Sequence, residues 1–173
     1  QGVNTTEGLN HRIQNNELPE VVKSSEQQYE IDIENAVEMI NLRKNELRMV
    51  IISGPSSSGK TTTTIKIAKR LERIGMKFRT LNVDNYFFNL EMHPKDEFGD
   101  YDFETPQALD IQLINQHVLD LISGKEILVP FYDFKTGTRT EQFTPMHLAE
   151  NELILIDSLH GLYPDMTRSI SPE

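Results

Sequence analysis

The chain has 173 residues, 37% hydrophobic and 25% charged, enough apolar content for one ordinary domain with a buried core and too much for a disordered chain. With 17 Lys and Arg against 27 Asp and Glu its formal charge is −10, which disfavours a surface that wraps nucleic acid, and the lack of any cysteine excludes disulfides, thiolate zinc sites and cysteine nucleophiles. No apolar run approaches the roughly 18 residues of a membrane span and no signal-peptide pattern opens the chain, so a cytoplasmic protein without a membrane partner is expected.

Residues 1–29 are polar, and Gln1 in place of an initiator Met reads as processing or as a cut from a longer chain. From Tyr29 to about Leu47 a helical period places Ile33, Ala36, Val37 and Ile40 on one face. Residues 1–47 are therefore read as the end of a preceding domain or a linker, with a helix near 30–45, and residues 48–173 as a domain of their own. That domain opens with a short apolar run, Arg48 to Ser53, ending in Gly54-Pro55, the pattern of a buried strand. A helix from Lys60 follows, with Ile65, Ala68 and Leu71 inward and Gly75 as its stop. A second strand runs from Phe78 to Val83, and residues 85–104 form an ordered loop. Thr105-Pro106 then has the form of a helix start, with Ala108, Ile111, Leu113, Ile114, Val118, Leu121 and Ile122 as the buried stripe. Third and fourth strands are expected at Glu126–Phe131 and Glu152–Ile156.

Apolar strands alternating with helices predict an α/β fold, a parallel sheet with helices on both faces. Such sheets bind ligands at the carboxyl ends of their strands. Gly54–Thr61, Asp84, Tyr132 and Asp157 all fall at such ends.

Gly54-Pro55-Ser56-Ser57-Ser58-Gly59-Lys60-Thr61 fits the phosphate-loop pattern G-x-x-x-x-G-K-[ST] in full. The glycines let successive backbone N–H groups curl inward around phosphate at the positive end of the following helix. Gly54, Ser56, Ser57, Ser58, Gly59, Lys60, Thr61 and Thr62 are accordingly the candidate nucleotide-binding residues. The Lys60 ammonium suits the β/γ-phosphates and the Thr61 hydroxyl suits Mg²⁺. This loop alone does not choose between kinase, ATPase and GTPase. No guanine-specific N-K-x-D occurs, and Asp157-Ser158-Leu159-His160 lacks the fourth-position glycine of a GTPase motif.

Further motifs follow in order: Val83-Asp84-Asn85-Tyr86-Phe87, then Gly99 to Asp110 (GDYDFETPQALD), then Pro130-Phe131-Tyr132-Asp133-Phe134 with Arg139. With the phosphate loop they resemble the uridine kinase/phosphoribulokinase family, most of all its uridine-kinase-like members that carry a TGS domain. The resemblance covers nearly the whole chain. It implies a nucleoside-monophosphate-kinase-like P-loop NTPase fold and transfer of the ATP γ-phosphoryl to a hydroxyl. The acceptor it implies is a small molecule, a nucleoside, with another sugar or a sugar phosphate as the alternative acceptor and a catalytically weakened ATP-binding module as the alternative to an active kinase. By the same likeness Asp84 and Lys60 are the catalytic residues, and Thr61, Asp84 and Asp157 hold Mg²⁺. Tyr86, Phe103, Glu104, Tyr132, Phe134 and Arg139 would meet the acceptor, with Glu104 on its ribose hydroxyls. A homo-oligomer is left open, and nucleic acid is disfavoured as a partner.

Each residue has a plain structural reading beside the functional one. Asp84 suits an Asx-turn, Asp157 a strand end, Glu104 the dipole of the helix expected after it, and Tyr132 and Phe134 simple packing. The five histidines, His11, His93, His117, His147 and His160, show no metal-ligand spacing and are read as surface or packing residues. Three departures from the family pattern stand out. Asp157-Ser158-Leu159 replaces Glu-Gly-Ile, Gly137 replaces a histidine that touches the base, and Leu90 replaces an arginine of the nearest members. The chain also stops about 16 residues after its fourth strand, before the family's arginine-bearing lid. A piece of a longer kinase, weak in nucleotide binding and turnover by itself, is therefore expected.

Overall fold

A computed structural model describes residues 2–168. The described chain divides into two compact units after Arg43, four residues before the expected boundary, and the last five residues of the expected 48–173 domain lie outside the description. The first unit holds two helices, α1 (Thr6–Gln14) and α2 (Leu18–Leu42). The Thr5 hydroxyl accepts the Gly8 N–H at 3.1 Å and caps α1. Helix α2 opens on Pro19, where a missing N–H costs nothing. Neither α1 nor the part of α2 before Tyr29 was expected, because their helix-favouring residues are mostly polar and carry little apolar periodicity.

In the second unit the elements are β1 (Met49–Ser53), α3 (Lys60–Arg73), β2 (Lys77–Asn82), α4 (Ile111–Ile122), β3 (Ile127–Asp133), β4 (Thr138–Met146) and β5 (Glu152–Ser158). Strands β1, β5 and β2 form one parallel sheet in that spatial order. The last strand in sequence is central because Leu153-Ile154-Leu155-Ile156 is apolar on both faces and all four residues are buried. In register, Asp157 on β5 stands between Ile52 of β1 and Asn82 of β2. Leu81, Ile154 and Ile156 of the sheet join Ile114, Val118 and Leu121 of α4 in the core.

The third expected strand does not join this sheet. It pairs antiparallel with β4 as a separate hairpin, so the parallel sheet has three strands where four were expected. Sequence periodicity missed β4 because Thr138–Met146 is largely polar and exposed. The pairing shifts register between Pro130 and Tyr132, where proline lacks the ladder N–H.

Two helix details also differ. Helix α4 starts not at Thr105 but at Asp110, whose carboxylate accepts the Leu113 N–H at 3.1 Å. Pro106–Ala108 makes only a 3₁₀ turn, and Leu109 is extended, bridged to Phe87. On α3 the buried face is Thr64, Ile67 and Leu71, whereas Ile65 is 48% exposed.

Candidate functional site

The phosphate loop spans the end of β1 and the start of α3. Ser57 and Gly59 both adopt left-handed backbone, with φ of 58° and 86°. Nothing lies within 4 Å of a Cβ built on Gly59, so the angle and not crowding calls for glycine there. The Gly59 carbonyl accepts the Thr63 N–H at 2.9 Å, which starts α3 directly behind the loop. At Gly54 a Cβ would come within 3.1 Å of Ser58 Oγ and 3.3 Å of Lys60 Cγ. Lys60 Nζ donates to the Pro55 carbonyl at 2.9 Å, so the ammonium curls over its own loop.

Two strand ends bring acids to this loop. The Thr61 hydroxyl donates to Asp157 Oδ2 at 3.1 Å across 96 residues of sequence. Asp84 follows β2 in a 3₁₀ turn, Val83–Tyr86, whose entry is fixed by Asn82 Oδ1 accepting the Asp84 N–H at 3.0 Å. The Asx-turn role therefore belongs to Asn82, leaving the Asp84 carboxylate uncommitted to it. Burial, and next the charge of Asp157, push the Asp84 carboxyl above its ordinary range, while Lys60 pulls it down.

A cavity of about 620 Å³ opens here. Ser56, Lys60, Thr61, Asp84 and Asp157 line it together with Phe103, Glu104 and Phe134. Two crowded carboxylates beside a hydroxyl are a hard-oxygen donor set that fits Mg²⁺. Among the described residues no group of three or more His, Asp or Glu forms a metal cluster, so such an ion would rely on phosphate and water for its remaining ligands.

Gly54, Ser57, Ser58, Gly59 and Thr62 belong to the loop and the first turn of α3 without lining the cavity. Three residues expected at the acceptor lie elsewhere. Tyr86 is fully buried in the core and its hydroxyl meets His117 Nδ1 at 2.9 Å. Tyr132 is 2% exposed and packs its ring on Phe87 and Phe134, which is the packing reading and not a cavity wall. Arg139 acts as a clamp. Its guanidinium donates to Asp110 Oδ2 at 3.1 Å, to the Tyr86 carbonyl at 2.9 Å and to the Phe87 carbonyl at 3.1 Å. Those partners come from the loop after β2 and the cap of α4, so the arginine ties the hairpin to both.

Among the cavity residues that sequence reading did not name as site residues are Phe87 and His160. Phe87 was visible as part of the motif around Asp84. His160 was visible in His160-Gly161-Leu162, which resembles the family pattern after the departing Asp157-Ser158-Leu159, but it was given no role in the site.

The sequence pattern of the phosphoribulokinase / uridine kinase family matches residues 49–170. The chain is 30% identical over 117 residues to uridine-cytidine kinase B of Dictyostelium discoideum, covering 68% of this chain and 46% of that protein. It is 32% identical over 111 residues to uridine kinase of Macrococcus caseolyticus, covering 64% and 52%. It thus spans about half the length of these relatives. A solved structure described as a possible uridine kinase from Bacillus stearothermophilus superimposes with a TM-score of 0.59 at 22% identity, covering 73% of this chain and 68% of that one. At that identity the likeness speaks for the fold, an α/β P-loop NTPase fold.

Proposed function

The chain belongs to the phosphoribulokinase/uridine kinase family, and from that premise we propose that its residues 48–173 transfer the γ-phosphoryl group of ATP to a hydroxyl of a nucleoside-like small molecule. The first 47 residues are the end of a preceding domain or a linker. We place this reaction in the cytoplasm. One observation carries the reading: Lys60, Thr61, Asp84 and Asp157, from three separate segments, line a single cavity beside the phosphate loop.

Phosphoryl transfer asks the protein for position and charge more than for covalent chemistry. The amides of the loop and of the α3 N-terminus bind the phosphates. Lys60 exchanges its internal carbonyl for phosphate oxygens and offsets charge that grows during transfer. Thr61, Asp84 and Asp157 would hold Mg²⁺, which would neutralise phosphate charge and relieve the repulsion between the two carboxylates. Asp84 orients the acceptor hydroxyl and takes its proton, a role its raised pKa favours. Phe103, Phe134 and Glu104 form the wall against which the acceptor rests.

A second reading keeps the chemistry and removes the base from the acceptor, leaving a sugar. It is favoured at Gly137, where the resemblance implies a base-contacting side chain. Here the residue has none, and Leu90 fills the space against it, with side-chain atoms 3.0 and 3.1 Å from where a Cβ would stand.

The test is phosphate transfer from labelled ATP with Mg²⁺ to uridine, cytidine and ribose, in the wild type and in Asp84→Asn. Transfer that needs Mg²⁺ and is lost in Asp84→Asn, with ATP binding retained, supports the proposal. ATP binding with no transfer to any of the three would reduce the protein to a nucleotide-binding module.

A further inference from the structure

His160 is the one histidine that lines the cavity, and the reading above gives it no task. Its Nε2 is closed off from water and has no hydrogen-bond partner among the described residues. Folded proteins rarely leave a buried nitrogen unpaired, so such an atom calls for a reason.

The turn that carries it leaves little freedom. Ser158 Oγ accepts the His160 N–H at 3.1 Å, and the Ser53 hydroxyl donates to the Leu159 carbonyl at 3.1 Å. A Cβ built on Gly161 would lie 2.5 Å from Ile51 Cγ2 and 3.0 Å from Ser53 Cβ, so the backbone is pressed directly onto β1. One bond within the turn and two contacts to β1 thus fix residues 158–161 and hold the imidazole at the cavity wall. Ser158, which sequence reading marked as a departure, is one of them.

The surroundings specify what it would meet. Asp102 and Glu104 are the charged groups that act on this imidazole, and Glu104 lines the same cavity. A hydroxyl can donate to one of these partners and accept from the other. A phosphate or carboxylate would face the two acids unfavourably.

We propose that His160 is an acceptor-binding residue, and that its imidazole, in the cavity that Glu104 also lines, hydrogen-bonds a hydroxyl of a neutral, polyhydroxylated acceptor. This rests on the phosphoryl-transfer reading for the word acceptor, and it narrows that reading to nucleosides and free sugars at the expense of sugar phosphates.

The test uses the full-length protein with isotope-labelled histidine, the His160 imidazole signals being identified by their loss in His160→Ala and His160→Gln. Uridine, ribose and ribose 5-phosphate are the probes. Uridine or ribose is expected to shift the His160 signals, and ribose 5-phosphate to leave them in place. Kinetically, His160→Ala raises KM for that neutral acceptor about tenfold, the worth of one hydrogen bond, while KM for ATP stays within twofold. Ser158→Ala moves the acceptor KM in the same direction by less. His160 signals indifferent to uridine and ribose up to their solubility limits overturn the proposal. So does an acceptor KM unchanged in a folded His160→Ala, or an ATP KM that rises with it. A shift without phosphorylated product would keep His160 as a binding residue and refute phosphoryl transfer instead.

Discussion

Gly137 is the position where a single added methyl group tests most of the acceptor wall. Its φ of 69° lies in the left-handed region, and a Cβ there would stand 3.0 Å from Leu90 Cβ. A Cβ cannot rotate away, and Leu90 cannot retreat, because its N–H donates to the Gly137 carbonyl at 2.8 Å. On the other side the Gly137 N–H closes the hairpin turn onto the Asp133 carbonyl at 2.8 Å. In Gly137→Ala the left-handed backbone costs about 1–2 kcal/mol. Crowding adds about 1 kcal/mol, the low end for overpacking because only one carbon is added. The total of about 2–3 kcal/mol converts to a fall in Tm of about 4–12 °C for a chain of this size. Thermal unfolding followed by circular dichroism measures it. Leu90→Ala keeps its Cβ but opens the space around Cδ2, so in that background the crowding component shrinks while the backbone component stays, a coupling of about 0.5–1 kcal/mol. Because the same turn holds the loop that carries Phe87, the acceptor KM of Gly137→Ala should also rise with the ATP KM intact. A cost below about 0.5 kcal/mol, within the range of an ordinary surface substitution, would refute the reasoning.

Asp84→Asn removes a proton acceptor, which is expected to lower kcat about 10²- to 10⁴-fold with ATP binding kept. The carboxylate is the working form, so wild-type kcat should fall on the acid side as Asp84 takes up a proton. For stability the sign reverses. A folded-state pKa above the unfolded value means that the neutral form favours the fold, so Asp84→Asn should raise Tm at neutral pH, and a lower Tm would contradict the origin given for the shift. Lys60→Ala loses the 2.9 Å bond to the Pro55 carbonyl and the attraction to Asp84, neither of them in the core, so circular dichroism should stay unchanged while single-turnover transfer slows about 10²- to 10³-fold. Arg139→Ala leaves Asp110 and two carbonyls without their guanidinium and should cost about 3 kcal/mol by calorimetry. Arg139→Lys recovers only part of that, since an ammonium cannot span the same fork, and full recovery would argue against the clamp.

The parts of the molecule that sequence reading placed well are those fixed by neighbours in the chain. Gly54 to Thr62 form one turn and one helix start, so residue order nearly determines geometry. Asp84 and Asp157 were also legible, because an apolar run ending in an acid marks the carboxyl end of a buried strand, and such ends converge in a parallel sheet. The hairpin was not legible. Thr138–Met146 has neither apolar alternation nor a turn dipeptide of the usual kind, and becomes a strand only by pairing with β3. Arg139 and Tyr86 misled for a related reason. Both lie in the motif, yet each is used by partners distant in sequence, Asp110 and His117 respectively. The start of α4 slipped from Thr105 to Asp110 because the Thr105-Pro106 signal opens only a 3₁₀ turn, after which Leu109 is extended and bridged to Phe87.

This contrast bears on how specificity could diverge within such a fold. At the phosphate end each group is tied to a β-ladder or to a helix terminus, so substitution there disturbs the sheet as well as the site. The acceptor wall comes instead from 3₁₀ turns, a loop and a hairpin joined by side-chain bonds. Asn85 Oδ1 accepts the Tyr132 N–H at 3.4 Å, Asn89 Oδ1 accepts the Arg139 N–H at 2.9 Å, and the Arg139 fork spans the gap between them. Such a wall can be rebuilt by compensating pairs without touching β1, β5 or β2. Leu90 against Gly137 is one such pair, and Ser158 under His160 is another. Relatives near 30% identity therefore inform the nucleotide half of the cavity far better than its acceptor half. The residues that choose the acceptor are to be sought among those whose neighbours changed with them.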